Sequence, residues 1–278
     1  MVLDCFIFYN ELKMLKFRMT ELNDYVDYFV LVEGTRTFSG DEKPLFFKEN
    51  EEMFSEFKDK IIYVCDDSMP YSGHEKSTEK DSPFYKETWE REKHQRNSID
   101  LGIQQLEEKL SDSDVILVSD CDEIPSPAVI MACKQHVARD DFPALIHLHQ
   151  EWYCGDLTYI WQGNPRDWRL AKAVLYKDYK TTYNRDCEYI RSHRDYKIGG
   201  VFGYGGWHFS YFGGPESIVD KLQHFSHQEY NKPEILDAKK IENNMRNMEP
   251  LEWWSPDGWR RVPIQANLNL PKNYKMLL

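Results

Sequence analysis

Val115-Ile116-Leu117-Val118-Ser119-Asp120-Cys121-Asp122-Glu123-Ile124-Pro125 is the stretch on which the fold of this chain turns. Val115 to Val118 are all apolar and mostly β-branched, the pattern of a short strand buried on both faces. The run stops on Asp-x-Asp, and Ser126-Pro127 then supplies an N-cap and a proline at the first helical position. Two carboxylates are thereby placed at the carboxyl end of a core strand, where open α/β sheets bind their ligands. Successive side chains alternate along a strand, so Asp120 and Asp122 are expected to point the same way. Hard oxygen donors of this kind suit Mg²⁺ or Mn²⁺, kept partly hydrated and shared with substrate phosphates. A capped strand end with a solvated acidic turn carries the same letters. The buried strand before it and the capped helix after it favour the metal site.

The composition is that of a globular protein. At 278 residues the chain is long enough for one large domain with a substantial core. Aromatic residues make up 14% of it, most of them core, although flat sugar and nucleobase faces also pack on such rings. The formal net charge is -12 with no long basic run, which argues against nucleic acid as a partner. A phosphate-bearing small ligand stays compatible, because a metal and a few arginines supply positive charge locally. Six cysteines are spread along the chain without a C-x-x-C pair, so paired zinc ligation is not expected and reduced, buried thiols are. No apolar run reaches membrane-spanning length, and the opening MVLDCFIFYNELK is too short and acidic for a signal peptide. The expectation is a soluble chain in the cytoplasm; a catalytic domain trimmed of a membrane anchor would read the same.

Upstream of the acidic strand, Val2 to Tyr9 read as a first strand, and Leu12, Leu15, Met19 and Leu22 recur at helical spacing. Tyr28 to Glu33 and Ile61 to Val64 read as second and third strands, a rhythm that begins a parallel α/β sheet. Residues 66–83 form a polar loop of a length that is usually functional or disordered. The pattern then predicts one long helix from about Tyr85 to Leu110, with Arg96 one turn before the core-facing Ile99.

Downstream, a helix is predicted from Pro127 to about Val137, and a differently textured second half begins at Ala144. It holds short strand-like pieces such as Ala173 to Tyr176, and turns at Gly155, Gly163-Asn164-Pro165 and Gly199-Gly200. Gly203 to Pro215 is glycine-dense and aromatic, which permits close backbone approach to a ligand or a neighbouring strand. Two helices follow, marked by Val219, Leu222 and Phe225 and by Ala238, Ile241, Met245 and Met248, and then an irregular Trp- and Pro-rich tail from Pro250. One domain over 1–278 is expected, in two differently textured halves, 1–125 and 126–278.

With these segments in order, the chain resembles glycosyltransferase family 17. The residues that carry the resemblance are Phe8-Tyr9-Asn10-Glu11-Leu12; Val32-Glu33 with Thr37-Phe38-Ser39-Gly40 and Lys43-Pro44-Leu45; Gln95-Arg96; Asp120 to Pro125; Gly206-Trp207-His208; and Leu270 to Tyr274. The resemblance implies a GT-A-type, Rossmann-like fold, with a mostly parallel sheet flanked by helices and an irregular aromatic-rich second half. It implies a UDP-GlcNAc or related donor, a glycan or glycoconjugate acceptor, Mn²⁺ or Mg²⁺, and inversion at the anomeric carbon. On that basis Asp120, Asp122 and His208 are candidate metal ligands, and Asn10, Glu11, Glu33, Arg96, Asp120 and Asp122 are candidates for holding the donor. His208 between Trp and Phe would otherwise read as a packed core histidine. His224 and His227 are assigned structural roles.

An inverting transfer also needs a general base. It is expected beyond the metal strand, where Glu151 and Asp156 are the candidates; solvated loop acids read the same way. Two other functions compete. A haloacid-dehalogenase-like phosphatase also ends an apolar strand in Asp-x-Asp, but its motif normally follows the first strand and continues with Gly/Thr or Val/Thr, not Glu123-Ile124. A carbohydrate-binding protein without catalysis would use the aromatic residues and leave the acidic strand unexplained.

Overall fold

The computed structural model describes residues 1–163, 167–194, 200–247, 249 and 258–278, with 200–203 as backbone alone. Asn164-Pro165, Gly199, Met248 and the start of the Trp-rich tail lie outside the described residues.

Apolar runs build the centre. β1 (Val2–Phe8), α1 (Leu12–Leu22), β2 (Tyr28–Gly34), the short α2 (Phe46–Glu49) and β3 (Ile61–Asp66) follow one another. β2 pairs in parallel with β1, and β3 with β2. α3 (Pro83–Asn97) and α4 (Ile99–Gln104) come next, and β4 (Val115–Asp120) then lies parallel to β1 on its other side. Register decides where the site falls. Phe8 lies beside Glu33 and Ile7 beside Asp120, so the carboxyl ends of three strands align at one edge. Every residue of β1 and all but the last of β4 are buried, as expected for strands covered on both faces.

The single long helix expected from Tyr85 to Leu110 is two helices. Its start is signalled by Ser82-Pro83, Ser82 Oγ accepting from Tyr85 N at 3.1 Å with the proline in the first turn. It breaks at Ser98, whose hydroxyl donates to the buried end of β3 at Asp66 Oδ2, 3.0 Å away. α4 then lies so close to the sheet that a Cβ on Gly102 would meet Val30 at 2.4 Å. The polar loop before α3 is tied down, Arg91 Nε donating to Pro70 O at 2.8 Å and Ser72 N to Glu87 Oε1 at 2.6 Å.

β5 (Glu123–Pro125) and α5 (Pro127–Ala138) follow the acidic turn, with Ser126 Oγ capping Val129 N as the sequence predicts. The second half adds β6 (Ile146–Cys154), β7 (Asp156–Trp161), β8 (Asp167–Trp168), β9 (Lys172–Leu175), α6 (Tyr176–Thr181), α7 (Cys187–Ser192) and β10 (Gly200–Ser210). After these come α8 (Pro215–His224), α9 (Ala238–Asn247) and β11 (Trp259–Arg261). β9 runs antiparallel to β4 and carries the sheet onward, in the order β11-β7-β6-β9-β4-β1-β2-β3. The result is a mixed α/β fold with one large sheet through both halves, parallel in the first and mixed in the second. The glycine-dense segment is a strand. β10 lies between β5 and β6, and a Cβ on Gly206 (φ 128°) would stand 2.0 Å from Ile124 O, so only glycine fits beside the acidic turn.

One core cluster packs α1 and α5 against the sheet through Phe6, Phe17 and Ile130; a second packs α4 through Cys5, Ile99 and Ile103. The tail closes over α1, Glu21 accepting from Lys272 N at 3.1 Å and Asn273 N at 3.0 Å. All six cysteines are free, five buried and Cys65 exposed. Among the described residues, no helix is long and apolar enough to cross a membrane.

His147 on β6 faces Lys172 on β9, both fully buried. The Lys172 ammonium donates to the carbonyls of Arg169 (2.6 Å), Leu170 (2.9 Å) and Arg191 (3.2 Å), and burial, then Arg191, push its pKa down to about 7. Burial, then the neighbouring Lys172, His193, His149 and Arg169, push His147 down to about 4. The unfolded chain protonates His147 near the ordinary histidine value of 6.5, whereas the folded one resists until about 4. Stability therefore falls as pH drops through that window, by on the order of 2–3 kcal/mol from this group. Urea unfolding at pH 7 and pH 4.5 should show the loss, and His147→Gln should shrink it.

Candidate active site

At the aligned carboxyl ends lies a cavity of about 580 Å³, within the size range of small-molecule sites. Tyr9, Thr37 and Phe38 line it from the β1–β2 side, Trp152 and Trp168 from the β6–β8 side, and Asp120 to Glu123 lie between.

The acidic turn is shaped from beneath by Arg18 of α1, which is fully buried. Its Nη1 donates to the carbonyls of Asp120 (2.8 Å), Cys121 (3.2 Å) and Glu123 (3.0 Å), and its Nη2 to Ser119 Oγ (2.7 Å). Buried Asp4 of β1 balances the charge through Nε (2.8 Å) and Nη2 (2.5 Å). One planar fork thus satisfies the carbonyls that the turn frees from the sheet. β4 ends at Asp120 and Asp122 sits in the turn, so the expected alternation of a continuous strand does not apply. Both carboxylates nevertheless line the cavity.

Each has its own cationic partners. Asp120 Oδ1 accepts from Arg96 Nη2 at 3.0 Å and Oδ2 from Arg191 Nη2 at 2.6 Å. Burial opposes its ionisation, but Arg191 and Arg96 hold it below the usual carboxylate range. Arg96 also binds Glu92 at 2.9 Å and Glu188, so its guanidinium is committed to carboxylates at the cavity wall. Asp122 Oδ2 accepts from Lys221 Nζ of α8 at 3.1 Å, and its Oδ1 lies 3.7 Å from His208 Nε2. Burial again opposes ionisation, and Lys221 and His208 overcome it, holding Asp122 well below the usual range. The His208 ring packs at a tilt against Trp168 (centroids 4.3 Å apart) and stacks on Trp152 (5.8 Å), two indoles that also touch each other at 5.0 Å. Trp168 Nε1 in turn donates to Glu123 Oε1 at 2.5 Å, and Glu123 binds Arg191 as well.

The remaining sequence candidates divide. Glu11 lines the cavity, its Oε2 accepting from Tyr9 N (3.2 Å) and Asn10 N (3.1 Å). Asn10 ties β1 to α8 through Asp220 at 2.9 Å and lines a second cavity of about 300 Å³. Glu33 is fully buried, accepting from Lys43 Nζ (3.3 Å), Phe47 N (3.1 Å) and Tyr63 OH (3.0 Å); it anchors the loop after β2 and leaves the cavity to Lys43. Glu151 and Asp156 are not brought to the cavity. Trp152 takes the cavity face of β6, so adjacent Glu151 points to the other, accepting from Asn269 Nδ2 and Tyr153 OH at 2.8 Å each. Asp156 caps the start of β7 through Thr158 N at 2.6 Å and pairs with Arg261 at 2.7 Å. His224 pairs with Asp220 at 3.0 Å, and His227, past the end of α8, packs edge-on against Trp89 at 4.6 Å.

Residues 1–261 match the sequence model of glycosyltransferase family 17, a span that takes in every element of this site. The chain belongs to glycosyltransferase family 17. It is also similar to the β-1,4-mannosyl-glycoprotein 4-β-N-acetylglucosaminyltransferases of Rattus norvegicus and Homo sapiens. Each is 22% identical over 294 aligned positions, covering 95% of this chain and 51% and 52% of the relative. This family 17 chain thus spans about half the length of the curated relatives it matches. The match favours neither the phosphatase nor the binding-protein alternative.

Arg18, Lys221, Arg191 and Trp168 belong to this family 17 site and escaped the sequence, and Glu123 was read there only as part of the acidic motif. Arg18 had left a signal. It is a lone cation among the apolar positions Leu15, Met19 and Leu22, just as Asp4 is a lone acid in an apolar strand, and such charges are buried only in pairs. Lys221 and Arg191 have none, being ordinary cations on helices until the fold brings them to the acidic turn.

Proposed function

We propose that the chain transfers a sugar, N-acetylglucosamine by preference, from a UDP-linked donor to a carbohydrate hydroxyl, with inversion at the anomeric carbon and with help from a divalent ion. The observation that carries this is a family 17 match running through a cavity whose floor is the Asp120–Glu123 turn. A GT-A-type arrangement is supported by the parallel β3-β2-β1-β4 order, with the site outside the strands' carboxyl ends.

Asp122 Oδ1 and His208 Nε2 stand 3.7 Å apart, a carboxylate oxygen and an imidazole nitrogen of the kind Mn²⁺ accepts. Asp120 has both oxygens on guanidinium groups and would reach an ion only through water. Among the described residues no cluster of three or more His, Cys, Asp or Glu is arranged to hold an ion. On this reading Asp122 and His208 would be the two protein ligands of a largely hydrated ion, water filling the rest of its shell. Such an ion would supply Lewis-acid stabilisation of the leaving diphosphate.

The chain's own cations share that work. Lys221 and Arg191 place positive charge at the acidic turn, where a protein of net charge -12 would otherwise repel a diphosphate. Tyr9 and Phe38 offer flat rings to the base, and Trp152 and Trp168 offer them to sugars. The acceptor is proposed to be a β-mannosyl glycan, as the relatives' names state for them. Isothermal titration with UDP and UDP-GlcNAc, in Mn²⁺ and in excess chelator, tests the donor and the ion together. Binding at least about tenfold tighter with Mn²⁺ is expected, or about 1.4 kcal/mol. Equal affinity in chelator would remove the metal.

A further inference from the structure

An inverting transfer needs a group to take the acceptor's proton, and Glu151 and Asp156 lie off the cavity. Six carboxylates line it: Glu11, Glu92, Asp120, Asp122, Glu123 and Glu188. Five are committed to cations. Glu92 and Glu188 pair with Arg96, Asp120 with Arg96 and Arg191, Glu123 with Arg191, and Asp122 with Lys221. Among the described residues, Glu11 alone of the six carries no ion pair. Its Oε2 is fixed by two backbone N–H groups, which leaves Oε1 to accept a proton.

Its place is as distinctive as its lack of an ion pair. Glu11 belongs to the wall shared by the cavities of about 580 and about 300 Å³, together with Tyr9, Asp122, Tyr211 and Lys221. An inverting displacement brings the nucleophile to the face of the anomeric carbon opposite the leaving group. Two spaces meeting at a wall that holds Glu11 and Asp122 offer those two faces, and of these two carboxylates Asp122 is paired with Lys221.

We propose that Glu11 is the general base of the transfer, and that the acceptor hydroxyl reaches it through the second cavity while the donor lies in the main one. The acceptor oxygen forms its bond to the anomeric carbon as its proton passes to Glu11 Oε1. The bond from that carbon to the diphosphate oxygen breaks, and its electron pair leaves with the diphosphate. The inference rests on the proposed transferase function, and its test separates the two.

Glu11→Gln keeps an oxygen that can accept from Tyr9 N and Asn10 N, so its melting curve should match wild type. UDP release from UDP-GlcNAc in water, and transfer to a panel of methyl glycosides, should each fall about 10²-fold or more in kcat. UDP affinity should stay within about twofold, as expected for a group that acts only during the reaction. Should the glutamine variant not fold, Glu11→Asp carries the same expectation in smaller measure, since its carboxylate is drawn back by one methylene. Ser217 lines the second cavity and not the main one, so Ser217→Trp should depress transfer to glycosides while sparing UDP affinity and hydrolysis. Unchanged kcat in Glu11→Gln, or UDP affinity lost in proportion to it, overturns the base. Undiminished transfer in Ser217→Trp overturns the acceptor entrance. A wild-type protein that transfers from no UDP-sugar to any glycoside overturns the transferase proposal instead.

Discussion

Asp122→Asn is expected to reduce transfer by about 10³–10⁴-fold, on the order of 4–5 kcal/mol of transition-state stabilisation. The carboxylate is the one charge that faces both Lys221, at 3.1 Å, and His208, at 3.7 Å. An amide is neutral there, so it binds a divalent ion weakly and leaves Lys221 without its counter-charge. The fold should survive. The turn is held through backbone carbonyls on Arg18 rather than through the Asp122 side chain, and Lys221 is partly exposed and can return to water. Activity, Mn²⁺ titration and a thermal melt on one preparation are the measurements. Wild-type turnover in the variant would detach Asp122 from the chemistry, and a collapsed melt would make it structural.

Arg18→Lys is expected to give the largest stability loss, about 3–5 kcal/mol, because it breaks a buried charge pair and strands carbonyls without donors. Arg18 and Asp4 are both fully buried, and the guanidinium reaches three turn carbonyls and Ser119 as well as the acid. An ammonium keeps the charge but has neither the reach nor the planar fork to serve them all. The midpoint of unfolding should fall by on the order of 10 °C. Arg18→Met with Asp4→Leu should recover part of that loss, since no buried charge is then left alone, while donor affinity stays impaired because the turn has lost its support. Wild-type stability in Arg18→Lys would show that the turn holds itself.

These two residues mark different depths of legibility. Asp122 could be found in the sequence, because an apolar strand, an acidic turn and a Ser-Pro helix start are signals written among neighbours. Arg18 stood out only as a charge on an apolar helix face, and its partners lie up to 105 positions away. The proposed base shows the same divide. Glu151 was a reasonable acid in a reasonable place, but Leu148-His149-Gln150-Glu151-Trp152-Tyr153 carries no clean alternation. Its face could not be read before β6 was paired with β10. Glu11 looked weaker because an acid beside a helix start serves the helix dipole on its own account.

What the sequence determined by itself is local: strands at β1, β2 and β3 in the rhythm of a parallel sheet, a fourth apolar strand ending in an acidic turn, and the capped helix at Ser126-Pro127. Hydrophobic period, caps and breakers act over a few residues, so they survive in the string of letters. Tertiary structure alone decided which charges meet. It placed Lys221 on Asp122 and Arg96 and Arg191 on Asp120, and it left Glu11 without an ion pair at the wall between two cavities. Those choices follow from strand register and helix packing, which sum many weak long-range contacts, and no neighbouring residues announce their outcome.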